Sequence, residues 1–221
     1  MSERWPGEPD VFEEGVDTPV LDPVEQASVA PAPPAPPAPP APDAPPADAP
    51  PAVRHAAGDL DIPGDVDLLE GEAGPVRRSV AIVVSKFNGE ITSKLLASAL
   101  EELDRIGIER KRLLVAPVPG AFELPLAAMA LAKTRRYTCI VALGCVIRGE
   151  TAHFDYVASE AASGLQLAAL ETGVPVAFGV LTTETAEQAE ARTGKGAEAV
   201  RTALEMADLF AQLRQTAVRQ A

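Results

Sequence analysis

The sequence predicts an α/β fold in which a four-stranded parallel sheet is covered by helices on both faces, a three-layer sandwich. Two observations predict it. Past residue 66 the chain alternates short apolar, β-branched runs with longer stretches of helical periodicity, as a parallel sheet with helical connections does. The runs themselves are continuously apolar rather than alternating, which is the pattern of strands buried on both faces. A third observation bounds the domain: 18 of the 22 prolines lie in residues 1–75, so only four interrupt the rest of the chain.

Taken in order, "SVAIVV" (79–84) is the first strand. "EITSKLLASALEELDRIGI" (90–108) is a helix, with Ile91, Leu95, Leu96, Ala99, Leu100, Leu103 and Ile106 on one stripe and Gly107 as its stop. "RLLVAPV" (112–118) reads as strand and "AFELPLAAMALAKT" (121–134) as helix. "TCIVALGCVI" (138–147) is the third strand, followed by a long helix from Ala152 that Gly173 ends. "PVAFGVL" (175–181) is the fourth strand, with closing helices over 184–192 and 196–215. Four strands with these connections make a flavodoxin-like layer sandwich over residues 66–221.

Residues 1–65 read differently. Residues 1–75 hold 16 of the 32 acidic residues but only two of the 19 basic ones, Arg4 and Arg54, so the overall charge of −13 describes this part of the chain. The run "APAPPAPPAPPAPDAPPADAPPA" cannot bury enough apolar surface to offset chain entropy, and its prolines favour extended polyproline II. A disordered acidic tail acting as a spacer or solubilising arm is expected, with His55 solvated in it. "MSERWPGEPD" lacks the basic and apolar regions of a secretory signal, and no apolar stretch is long enough to span a bilayer. A cytoplasmic location is therefore expected. Cys139 and Cys145 lie on one strand, ~20 Å apart at ~3.3 Å per residue, too far for a disulfide. Buried, reduced thiols are expected.

In parallel sheets of this kind ligands bind outside the carboxyl ends of the strands. The loops concerned are "SKFNGE" (85–90), "VPGAFE" (118–123), "IRGETAH" (147–153) and "LTTE" (181–184). Phe87 at a strand end is either a lid on the core or a stacking surface for a flat heterocycle, with Asn88 beside it for polar groups. Glu123 in a helix's first turn either complements the helix dipole or accepts bonds from ligand hydroxyls. "GCVIRGET" has the glycine spacing of a P-loop, but Glu150 and Thr151 stand where the lysine and magnesium hydroxyl belong, which argues against a nucleoside triphosphate. The amides that open the next helix are still suited to a single phosphate group. His153, on that helix's first turn, is placed to accept a proton near neutral pH. "EARTGKGAE" sets Arg192, Lys195 and Glu198 around a glycine-rich turn, by default a solvated charge cluster.

Together these loops carry a resemblance. "VAIVVSKFN", "PVPGAFELP", "GCVIRGETAHFDYV", "FGVLTTETAEQA" and "GKGAEA", in that order and spacing, resemble 6,7-dimethyl-8-ribityllumazine synthases of riboflavin biosynthesis, from about Leu68 to about Leu213. The resemblance implies a transferase that condenses 5-amino-6-(D-ribitylamino)uracil with 3,4-dihydroxy-2-butanone 4-phosphate, releasing phosphate and water, with neither metal nor organic cofactor. It implies that Phe87 stacks on the pyrimidine and that Asn88 and Glu123 face the ribityl chain. Gly120, Ala121 and Phe122 would belong to the substrate-binding turn, and backbone groups at Val146 and Ile147 would read the uracil edge. Gly149, Glu150 and Thr151 would offer amides to the phosphate, and His153 would shuttle protons. An adjacent subunit would complete the pocket with Phe178, Lys195 and Arg192, the last clamping phosphate while Glu198 pairs with it. The partners implied are small-molecule substrates, further copies in a homopentamer or an icosahedral shell, and riboflavin synthase, with no nucleic acid and no membrane. Two departures stand out: Lys86 replaces the family's arginine, and the turn between Arg192 and "GKG" is several residues shorter. A silent lumazine- or flavin-binding protein, a shell-forming scaffold and a flavodoxin-like electron carrier are the rival readings, and the full set of Phe87, Glu123, His153 and Arg192 argues for the enzyme.

Overall fold

The computed structural model describes residues 60–74 and 78–219. The proline-rich run and His55 lie outside the described residues. Strand β1 (Val80–Ser85) is buried along its whole length, and β3 (Cys139–Ile147) is buried through Val146. Both are central, because the sheet order is β2-β1-β3-β4 with every neighbouring pair parallel. The outer strands β2 (Leu113–Val118) and β4 (Val176–Thr183) keep partial exposure. Central placement is the reason the first and third runs read as unbroken apolar sequence. Pro117, without an N–H, is tolerated in β2 because an edge strand leaves one side unpaired.

Successive residues of β1 serve opposite layers, as the strand's period of two requires. Val80, Ile82 and Val84 pack with Leu95 and Leu103 of α1 (Gly89–Ile106) and with Val200 and Leu204 of α5 (Lys195–Arg219). Ala81 and Val83 pack with Leu124 and Ala128 of α2 (Leu124–Lys133) and with Leu165 of α3 (His153–Thr172). This is the expected flavodoxin-like three-layer sandwich. From β1 the chain runs through α1 to β2 on one side, then returns past β1 to β3 on the other. The order therefore reverses between β1 and β3, and a crevice opens at their carboxyl ends.

Several expected boundaries move for local reasons. The helix expected over 121–134 begins as a 3-10 turn at Ala121–Glu123, and α2 proper starts at Leu124. Pro125 fits there because the first turn of a helix has no use for its missing N–H. The helix expected over 184–192 shrinks to α4 (Ala186–Glu190), whose extended N-cap Thr185 accepts a bond from the Gln188 amide at 3.3 Å. The last helix runs from Lys195 to Arg219, longer at both ends than expected.

Two clasps close the α1/α5 layer. Glu102, only 6% exposed, accepts from Arg105 Nε and from Arg201 Nη1 of α5, each at 2.8 Å. Hydrogen bonding, first from Arg105 and then from Arg201, holds its carboxyl down to about 2. The segment leading into β1 lies on α5: Arg78 donates to the Leu204 carbonyl at 2.6 Å and pairs with Asp208. Asp208 also accepts from the Glu72 amide at 3.1 Å, and Gln212 donates to the Glu70 carbonyl at 2.8 Å. A Cβ at Gly71 would meet the Glu205 carbonyl oxygen at 2.0 Å, so only glycine allows this approach. Cys139 and Cys145 are free and buried, and burial pushes their thiols up to about 12 and about 11. No helix among the described residues is long and apolar enough to cross a membrane.

Candidate active site at the carboxyl ends of the strands

A cleft of about 610 Å³ opens where the strand order reverses. The loop after β1 supplies Phe87 and Asn88. Phe87 is 72% exposed, so it lies over the cleft instead of lidding the core. Asn88 sits in the left-handed region (φ 56°), where asparagine is tolerated, and opens α1. Its Nδ2 donates to the Cys145 carbonyl at 2.9 Å, which ties the loop to β3 and leaves the amide oxygen for other donors.

The turn after β2 supplies Gly120, Ala121, Phe122 and Glu123, all lining the cleft. Gly120 N–H donates to Glu123 Oε2 at 2.8 Å. Glu123 thus fastens its own turn with one oxygen and stands half-buried in the wall. Val146 and Ile147 come from the end of β3. From the loop beyond, Gly149, Thr151 and His153 reach the lining, whereas Glu150 is exposed outside it. His153 is the first residue of α3 and faces solvent on the cleft side, its amide 3.5 Å from the Thr151 hydroxyl. A β3 carboxyl end that leads directly into a helix start offers the free amides and positive dipole end to which anions bind.

Phe178, Arg192 and Lys195 do not line the cleft of the single chain. Phe178 is 47% exposed on the edge strand β4, and Arg192 and Lys195 are exposed beyond α4. Only four residues separate α4 from α5; the last, Gly194, accepts from Ser98 Oγ of α1 at 3.4 Å, and the start of α5 lies against α1. The Ala197 amide donates to Ser98 Oγ at 3.2 Å, and a Cβ at Gly196 would meet the Leu95 carbonyl oxygen at 2.1 Å. Among the described residues of the single chain, no ion pair joins Glu198 to Arg192. Glu198 pairs with Lys195 at 2.6 Å across one helical turn, while Arg192 Nη1 donates to the Gln188 carbonyl at 2.8 Å. The helix puts Lys195 and Glu198 on one face, and Arg192 lies before it, so within the chain Glu198 is the lysine's partner.

A family model described as 6,7-dimethyl-8-ribityllumazine synthase matches residues 77–211. The chain belongs to this family. The 6,7-dimethyl-8-ribityllumazine synthases of Yersinia pestis (strain Pestoides F) and Yersinia pseudotuberculosis serotype O:1b (strain IP 31758) are each 49% identical to it over 155 residues. Those alignments cover 67% of this chain and 99% of each relative. Every loop of the cleft lies inside the stretch matched to the lumazine synthase family.

Five lining residues were missed from the sequence: Pro119, Cys145, Phe154, Tyr156 and Val157. The last three lie at the start of α3, where a helical wheel started at His153 would have placed Tyr156 and Val157 on its face. Cys145 lies near the end of β3, paired in register with Leu181 of β4. Arg148 stands beside these residues with no task that the sequence assigns. Its guanidinium bonds Asp155 and Glu184 and lies 4.2 Å from the centre of the Phe154 ring.

Proposed function

We propose that this chain catalyses the condensation of 5-amino-6-(D-ribitylamino)uracil with 3,4-dihydroxy-2-butanone 4-phosphate, giving 6,7-dimethyl-8-ribityllumazine, phosphate and water. The observation that carries it is the convergence of Phe87, Glu123, Thr151 and His153 on one cleft, in a chain half identical to named lumazine synthases along nearly their whole length. In the reaction the primary amine attacks the ketone and a water leaves, phosphate is eliminated, and the ribitylamino nitrogen closes the ring with loss of a second water. Both reactants must be held in register, and positioning of that kind is worth several orders of magnitude. Phe87 stacks on the pyrimidine, Asn88 and Glu123 face the ribityl chain, and Val146 and Ile147 read the uracil edge beside the turn of Gly120, Ala121 and Phe122. The amides of Gly149, Glu150 and Thr151 take the phosphate. His153 moves the protons that the imine, elimination and ring-closure steps exchange, a role worth about 10²–10⁴-fold.

The cleft is completed by a second copy of the chain, which brings Phe178, Lys195 and Arg192. Arg192 gives charge-assisted bonds to the phosphate as it departs. Two features support assembly: these three residues stand exposed outside the single chain's cleft, and Leu126, Leu167 and Leu170 are 76%, 51% and 75% exposed. We read the assembly as a homopentamer in the cytoplasm, able to hand product to riboflavin synthase. The catalytic domain spans residues 66–221, with the acidic Pro/Ala-rich arm before it. The deciding experiment is lumazine formation, followed by absorbance, for the wild type and Arg192→Ala. Product from the wild type and a loss of at least about 100-fold in the variant are expected. No product from well-folded wild type would overturn the reading.

A further inference from the structure

The geometry points to Arg148 as a positioning residue of this site: its guanidinium, clasped by Asp155 and Glu184 and laid on Phe154, holds the 149–153 loop in place and does not itself bind the anion. The inference rests on the proposed function and assigns a task that the sequence left open.

Arg148 joins three elements. Its backbone amide donates to the Thr183 carbonyl at 2.9 Å, continuing the β3–β4 ladder one residue past the strand. Nε then meets Glu184, beyond the end of β4, at 2.8 Å. Nη1 and Nη2 meet the two oxygens of Asp155, on the first turn of α3, at 3.2 and 3.0 Å. The bidentate bridge closes a ring around residues 149–154, the segment that carries the proposed phosphate amides and His153. Among the described residues, the only other side-chain hydrogen bond of residues 149–152 is the long one, 3.5 Å, that Thr151 Oγ1 accepts from the His153 amide at the start of α3. Gly149 has no neighbour within 4 Å of where a Cβ would stand, so packing does not fix the loop either.

The charge count separates holding from binding. One guanidinium faces two carboxylates, so the cluster as a whole is negative and offers an incoming phosphate no net attraction. Two of the five N–H donors of the arginine are already turned to Asp155, and Nε lies in ion-pair contact with Glu184. Phe154 covers one face of the plane at 4.2 Å, the stacked arrangement that suits guanidinium and not ammonium. A lysine would keep the charge but lose the fork, the second carboxylate and the flat contact.

The test is steady-state kinetics of the full chain and four variants: Arg148→Lys, Arg148→Met, Asp155→Asn and Glu184→Gln. Amide hydrogen exchange of wild type and Arg148→Met accompanies it. Positioning predicts a fall in kcat of roughly 10- to 100-fold and a raised KM for the phosphate-bearing ketone in Arg148→Met and Asp155→Asn. KM for the ribitylaminouracil should stay within about twofold, Arg148→Lys should not rescue, and Glu184→Gln should show a smaller loss in the same direction. If Arg148 bound the phosphate directly, Asp155→Asn would free it and lower that KM, and lysine would rescue; either result overturns the proposal. Asp155→Asn, nearly isosteric, keeps the kinetic test decisive should Arg148→Met fail to fold. Exchange at Gly149, Glu150 and Thr151 should quicken in Arg148→Met while β3 stays protected, and unchanged exchange in a folded variant sinks the clasp. Absence of lumazine from the wild type would refute the function reading, and the exchange arm would still decide the clasp.

Discussion

In the proposed function, His153 at the opening of α3 and the backbone amides after β3 act from one short segment. Replacing it with alanine should lower kcat by about 10²–10⁴-fold while leaving the melting temperature unchanged, since its side chain is exposed. Phe87→Ala should instead raise KM for the ribitylaminouracil by roughly 2- to 12-fold, the worth of about 0.5–1.5 kcal/mol of aromatic contact. These residues were legible because turn chemistry, a strand end and a helix start coincide there in the sequence. The bond between Glu198 and Lys195 within the chain was not. A salt bridge depends on how a helix start is seated, and Ser98 and Gly196, residues that no local pattern marks, seat the start of α5 on α1. Asn88 was half legible: its place beside the site was expected, but its bond to the Cys145 carbonyl required knowledge of the strand order.

Strands and long helices were legible from burial alone. β1 and β3 are covered on both sides, so their sequences carry no polar interruptions, and the stripe of α1 names its buried face. Short elements were less so: α4 has five residues, too few for a periodic signal, and its bounds follow from the Thr185 cap. Nothing in the stripe of α1 signalled Glu102, a carboxylate inside the α1/α5 layer. Its folded value of about 2 lies below the ordinary 4.5, so its contribution to stability is full above about pH 4.5 and is lost as pH falls toward 2. Denaturant midpoints measured across that window should fall for the wild type, and the fall should be smaller in Glu102→Gln. At pH 7 that variant should be less stable by about 1.5–3 kcal/mol, the usual worth of bonds to a charged group. Gly196→Ala should cost a similar amount, about 1–3 kcal/mol, because α5 cannot approach Leu95 past a methyl group.

At the scale of the whole molecule, the proposed division of the site between chains would tie activity to assembly. His153→Ala and Arg192→Ala, each inactive alone, should regain measurable activity when unfolded together and refolded as a mixture, because some mixed interfaces pair an intact cleft with an intact arginine. No recovery would place both residues in one chain's site. Leu170→Glu puts a charge on an apolar surface that is 75% exposed in the single chain, and sedimentation velocity should show smaller species with lower activity. Unchanged particles would exclude that face from the contact. The fastening of α5 also has a consequence for synthesis. Arg78 reaches Leu204 across 126 residues and Gln212 reaches Glu70 across 142, so the segment leading into β1 has no binding surface until nearly the last helix is translated. A ribosome that has finished β4 has exposed the whole sheet with one layer half covered, its α5 side bare from Val80 to Leu181. Closure of that layer therefore waits for α5, and until then the nascent chain presents a partly built sheet with an uncovered apolar face, the kind of surface that aggregates.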